Sequence, residues 1–213
     1  MPHDACCPPP AARHAAAGYR RVLAVALALN AAMFLVEIAA GLAAQSVALL
    51  ADAIDFLGDA ANYGLSLMVL GLAPAWGSRL ALLKGLSMAA FGLWVIAEAA
   101  THALNGTLPQ PAAMGATGLL ALAVNLGVAW LLYRYRQGDA NMRAVWLCTR
   151  NDALGNLAVL LAATGVAANA SGWPDYAVAA AMAALALSSA CTVTRQALAE
   201  LAGKPSAAAH RHG

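Results

Sequence analysis

Six apolar stretches, each near or above 20 residues, fill most of the chain, and short clusters of helix breakers separate them. A helix rises 1.5 Å per residue and the hydrocarbon layer is about 30 Å thick, so about 20 apolar residues cross it. The stretches cover roughly residues 22–44, 47–73, 80–100, 112–133, 144–168 and 176–197. Between them lie Gln45-Ser46, the segment from Pro74 to Ser78, that from Asn105 to Pro111, that from Gln137 to Asn141, and Ser171-Gly172-Trp173-Pro174. Charge supports the same reading. Only 10% of residues are charged and 62% are hydrophobic, whereas a soluble domain carries about 25% charge to cover its surface. A disordered chain has the opposite composition, and a net charge of +2 gives no reason to expect a nucleic-acid partner.

The basic residues set an orientation. Arg13, Arg20 and Arg21 precede the first stretch. Arg79 and Lys84 lie between the second and third, Arg134, Arg136 and Arg143 between the fourth and fifth, and Arg195, Lys204 and Arg211 at or beyond the end of the sixth. That puts 11 of 12 basic residues on one side, leaving only Arg150 inside a span. Basic loops stay cytoplasmic. The expected fold is an all-α membrane protein of six transmembrane helices with both termini cytoplasmic, in the inner (cytoplasmic) membrane. A flexible tail over 1–20, with Pro8-Pro9-Pro10, would precede a six-helix transmembrane domain over 21–200, and a short tail over 201–213 would follow. The N-terminus lacks the cleavage pattern of a signal peptide. Cys6 and Cys7 sit in the tail and Cys148 and Cys191 in spans, so a disulfide framework is not expected.

Carboxylates inside a bilayer are costly and generally functional. The second span holds Asp52, Asp55 and Asp59, at spacings of 3, 4 and 7 that share one helix face, with Asn62 continuing it. The fifth span carries Cys148 and Asp152 four apart, with Asn156 one turn on. Two side chains four apart can chelate one ion, and two such helices facing each other supply four ligands. Asp55, Asp59, Cys148 and Asp152 make three carboxylates and a thiolate, which suits tetrahedral zinc or a similar divalent ion. Helix–helix hydrogen bonding is the alternative reading, and two matched acidic faces weigh against it. Asp52 is an entry ligand, a proton acceptor or a packing group.

At this point the sequence resembles the cation diffusion facilitator family of metal–proton exchangers. Ser46-Val-Ala-Leu-Leu-Ala-Asp52-Ala-Ile-Asp55-Phe-Leu-Gly-Asp59 is similar to that family's second helix, with its paired (His or Asp)-x-x-x-Asp. The run from Asn141 through Cys148 and Asp152 to Asn156 is similar to its fifth, and Trp173-Pro174-Asp175 to the start of its sixth. Asn30 and Glu37 match polar positions of its first helix, and Glu37 becomes a candidate proton relay. Cys148 stands where the family has His or Asp, and a thiolate favours zinc or cadmium over manganese. The resemblance also implies a soluble dimerising domain after the sixth helix. This sequence ends before one, so a compact form without it is expected.

The function that follows is secondary transport: export of divalent transition-metal cations, zinc first and cadmium or cobalt next, in exchange for protons. No Gly-x-x-x-x-Gly-Lys run is present for nucleotide hydrolysis. No His-Glu-x-x-His run is present for a metallohydrolase, and an enzyme is not expected. The metal is cargo and no cofactor is called for. Expected partners are metal ions, protons, membrane lipids and a second copy joined through membrane helices. The alternative is a non-transporting metal sensor or a subunit of a larger efflux system. Candidate relay or entry groups are Asp52, Glu37, Asn30, Asn62 and Asn156. Cys6, Cys7 and the terminal His210 and His212 are weaker metal-gathering candidates.

Overall fold

The computed structural model describes the backbone of residues 10–68, 74–135 and 140–202, and side chains from Gly18 onward outside the segments 69–77 and 136–151. Six α-helices follow in order: α1 Pro10–Ala44, α2 Val47–Met68, α3 Pro74–Asn105, α4 Pro111–Tyr133, α5 Ala140–Asn169 and α6 Trp173–Leu201. No strand occurs among the described residues. Three of the helices open on a proline that fixes φ where a missing N–H costs nothing, at Pro10, Pro74 and Pro111.

Helix α2 is the centre of the bundle and touches all five others. Helices α1 and α2, α4 and α5, and α3 and α6 form the most extensive pairs. Of the 22 residues of α2, 13 are buried, and its only exposed large apolar residue is Met68 at its end. The other helices carry the lipid-facing surface, with Leu35 on α1, Leu93 on α3, Leu119 on α4, Leu161 on α5 and Leu185 on α6 all exposed. An acid-bearing helix can reside at membrane depth when protein, not lipid, surrounds it. Among the described residues, five helices are long and apolar enough to cross a membrane, namely all but α2. Helix α2 differs from them in carrying three carboxylates, Asp52, Asp55 and Asp59.

Close approach of backbones holds the pairs together. A Cβ on Gly85 of α3 would stand 2.4 Å from Thr194 Oγ1 and 3.2 Å from the Ala190 carbonyl of α6, so glycine is what lets these two helices meet, as small residues do in lipid. At one end of the bundle the α1–α2 turn passes through Gln45 at φ 53°, and Ser46 N–H returns to the Gly41 carbonyl at 2.9 Å, a left-handed helix stop. Asp175, near the start of α6, then caps α2 from across the fold. Its carboxylate accepts from Ser46 Oγ at 2.6 Å, Val47 N–H at 2.9 Å and Ala48 N–H at 3.1 Å. An anion at a helix N-terminus satisfies free donors and complements the dipole.

Two boundaries differ from the sequence reading. Residues 10–20 are helical, not an extended tail, because the alanine-rich run around Ala15-Ala16-Ala17 has high helix propensity. Helix α3 begins at Pro74 rather than near residue 80, which draws Arg79 and Lys84 out of a loop and onto a helix.

Candidate functional site

Glu37 and Asn30 come from α1, Asp52, Asp55, Asp59 and Asn62 from α2, and Asp152 and Asn156 from α5. The buried face of α2 aims its acids between these helices. Glu37, Asn30 and Asn156 are fully buried, and Asp52 and Asp59 nearly so.

Asp55 and Asp152 line one cavity of about 550 Å³ between α2, α3, α5 and α6, together with Met88, Gly155, Met182 and Ser189. A Cβ on Gly155 would lie 3.8 Å from Asp52 Oδ1 and 3.8 Å from Asp55 Oδ2, so the two α2 acids converge on this point of α5. The Asp152 carboxyl is within hydrogen-bonding reach of Asp59 and feels the charges of Asp55 and Asp52. Asp59 also accepts a hydrogen bond from Tyr63 Oη at 2.9 Å. One turn away, Asp52 faces Glu37 of α1. Ionised carboxylates only accept, so each facing pair closes a hydrogen bond only with a proton on one partner.

Beyond these facing carboxyls, Glu37, Asp52 Oδ2 and Asp152 Oδ2 find no donor among the described residues, and neither amide atom of Asn156 has a partner. Asn30 donates to the Ala26 carbonyl at 2.9 Å, leaving its own oxygen without a donor. Buried polar atoms without partners are costly. Their density here marks an interior suited to protons or a cation.

The sequence-derived ligand set is therefore brought partly together. Asp152 is within hydrogen-bonding reach of Asp59 and shares its cavity with Asp55. No group of three His, Cys, Asp or Glu side chains among the described residues is close enough to hold a metal ion. Cys148 is on α5 one turn before Asp152, and its side chain lies outside the described residues, as do Cys6, Cys7, His210 and His212. Asn62 accepts a hydrogen bond from Lys84 Nζ of α3. Sequence reasoning assigned Lys84 to a cytoplasmic loop; the proline at residue 74, read as a helix start, was the available signal. It gave no role to Met88, Met182 or Tyr63, whose apolar character reads as ordinary core.

Apolar helices wrapped around one acid-bearing helix define a multi-pass membrane protein with a cation-attracting interior. Residues 23–202 match the cation efflux transmembrane domain, and the chain belongs to that family, the cation diffusion facilitators, which are transporters. It is similar to the cadmium, cobalt and zinc/H(+)-K(+) antiporter of Bacillus velezensis, at 25% identity over 199 residues covering 87% of this chain and 64% of that protein. The protein of the same name from Bacillus subtilis is 25% identical over 193 residues, 84% of this chain and 62% of its own. The metal cation efflux system protein CzcD of Cupriavidus metallidurans is 24% identical over 174 residues, 76% and 55%. The chain thus spans less than two thirds of the length of these relatives.

Proposed function

We propose that this protein exports divalent transition-metal cations from the cytoplasm in exchange for protons, with zinc the leading cargo and cadmium and cobalt alongside it. Family membership supports metal transport. The names of relatives, which include cadmium, cobalt and zinc exchange for protons, support the cargo and the coupling. The observation that carries the reading is Asp152 of α5 within hydrogen-bonding reach of Asp59 of α2 and lining one cavity with Asp55.

In this reading Asp55, Asp59, Cys148 and Asp152 hold the metal, with Asp52, Glu37, Asn30, Asn62 and Asn156 conducting protons or ions to them. All six helices span an inner membrane and both termini are cytoplasmic. Two copies join through membrane helices. The ligands bind metal only when deprotonated, so capture releases protons and reprotonation expels the metal. The facing carboxyl pairs are the sites a dication would take over. A hydrogen bond across Asp59 and Asp152 and a cation between them are alternative ways of relieving the same repulsion.

The test is zinc flux in proteoliposomes under a pH step. Wild-type protein carries zinc, and Asp152→Ala reduces both flux and calorimetric zinc affinity by at least about 100-fold, since even groups behind the ligands are worth 10–100-fold. Unchanged affinity in a well-folded Asp152→Ala protein would exclude this site.

A further inference from the structure

Lys84 is a cation placed among apolar helices. It sits on α3 in a cleft of about 280 Å³ between α2 and α3, lined mainly by apolar groups such as Leu57, Ala61, Leu65 and Leu80. Its ammonium hydrogen-bonds Asn62 Oδ1 across that cleft and interacts electrostatically with Asp59. Met88, one turn further along α3, borders both this cleft and the acidic cavity. Its Cε would lie 3.2 Å from a Cβ on Gly58. Lys84 and Met88 thus form one face of α3 laid against the polar face of α2, with the charge at the Asn62–Asp59 end and the thioether at the cavity.

We propose that Lys84 is a tethered counter-cation that sets how tightly the acidic cavity holds a divalent metal. This rests on the transport reading above and adds to it a residue that touches no cargo. Asp55, Asp59, Asp152 and the Cys148 thiolate, when ionised, carry four negative charges, and Lys84 returns one positive charge, leaving three. A dication offsets two of these, so the lysine brings the loaded site closer to neutrality. A fixed positive charge beside the site weakens cation binding through repulsion in a medium of low dielectric. A carrier needs this, because a site must capture its ion and also let it go. Lys84 holds its place through Asn62, so the charge stays near Asp59 without entering the cavity. It is a positioning and tuning residue.

The experiment compares Lys84→Gln, Lys84→Met and Lys84→Arg in detergent-purified full chain. Zinc affinity is measured by calorimetry at alkaline pH, where protons compete least, and zinc flux in vesicles. Both neutral variants tighten zinc binding about tenfold, the scale of one nearby charge at intermediate dielectric. In flux they lower KM and kcat together, because a tighter site releases more slowly. Lys84→Arg keeps the charge and stays close to wild type. Equal affinity in all four proteins overturns the proposal, as does weaker binding in the neutral variants. Failure of both neutral variants to remain monodisperse also overturns it, since the lysine is then a structural tie. Wild type that binds no zinc overturns the transport reading and this proposal together, whereas wild type that binds with unmoved variants overturns this proposal alone.

Discussion

At the residue scale the interior is a series of carboxyl groups that alternate between helices. Glu37 of α1 faces Asp52 of α2, and Asp152 of α5 meets Asp59 and feels Asp55. The spacing of Asp52, Asp55 and Asp59 revealed a shared face, but spacing is blind to which acid pairs with which helix. In the proposed ligand set, Cys148 is where residue chemistry bears most on selectivity. It stands one helical turn before Asp152, the geometry in which two side chains share one ion. A thiolate is a soft ligand and an imidazole a harder one that still suits zinc. Cys148→His therefore keeps zinc transport and loses more cadmium than zinc transport, while Cys148→Ser weakens both. Both ions are measured in the same vesicles. A zinc-to-cadmium ratio that moves in neither variant removes Cys148 from the ligand set and leaves it a packing residue.

At the element scale the decisive feature is that α2 lies inside the other five helices. Hydrophobic run lengths gave the number and order of helices, because each stretch between breakers is one helix. They could not show that α2 is central, since packing partners are not written in run length. They also misplaced the start of α3, where Pro74 reads as a breaker but acts as a first-turn residue. The tie between α6 and α2 through Asp175 was equally invisible, because its partners Ser46, Val47 and Ala48 are about 128 positions away. The close contact of α3 and α6 supplies the test of the packing itself. Gly85→Leu pushes a side chain into Thr194 and the Ala190 carbonyl, and overpacking of this kind costs about 1–3 kcal/mol. Its thermal midpoint in detergent falls clearly below wild type. Gly64→Ala, at a position with nothing within 4 Å, leaves the midpoint unchanged or slightly raised. Equal midpoints for Gly85→Leu and wild type would show that the two helices do not meet there.

At the scale of the whole molecule, the proposed exchange would draw its energy from a proton gradient, and linkage between protons and metal makes that testable. Every candidate ligand is a group that exchanges a proton for a metal, so the two ions compete for one interior. Linkage then fixes the direction of flow. The compartment with more protons expels metal from the open site, and the compartment with fewer lets it bind. In the proposed exchange, metal accumulates on the acidic side as protons run the other way. One pH unit is worth about 1.4 kcal/mol per proton exchanged, so exchange of two protons per metal shifts the limiting zinc ratio by about 100-fold per unit. Vesicles loaded with an acidic lumen accumulate zinc, vesicles with an alkaline lumen release it, and collapsing the step with a proton ionophore stops both. The slope of the limiting ratio against the pH step reads the number of protons directly. Flux of equal size and direction under opposite pH steps would rule out proton exchange and leave a passive metal pathway through the same acidic interior.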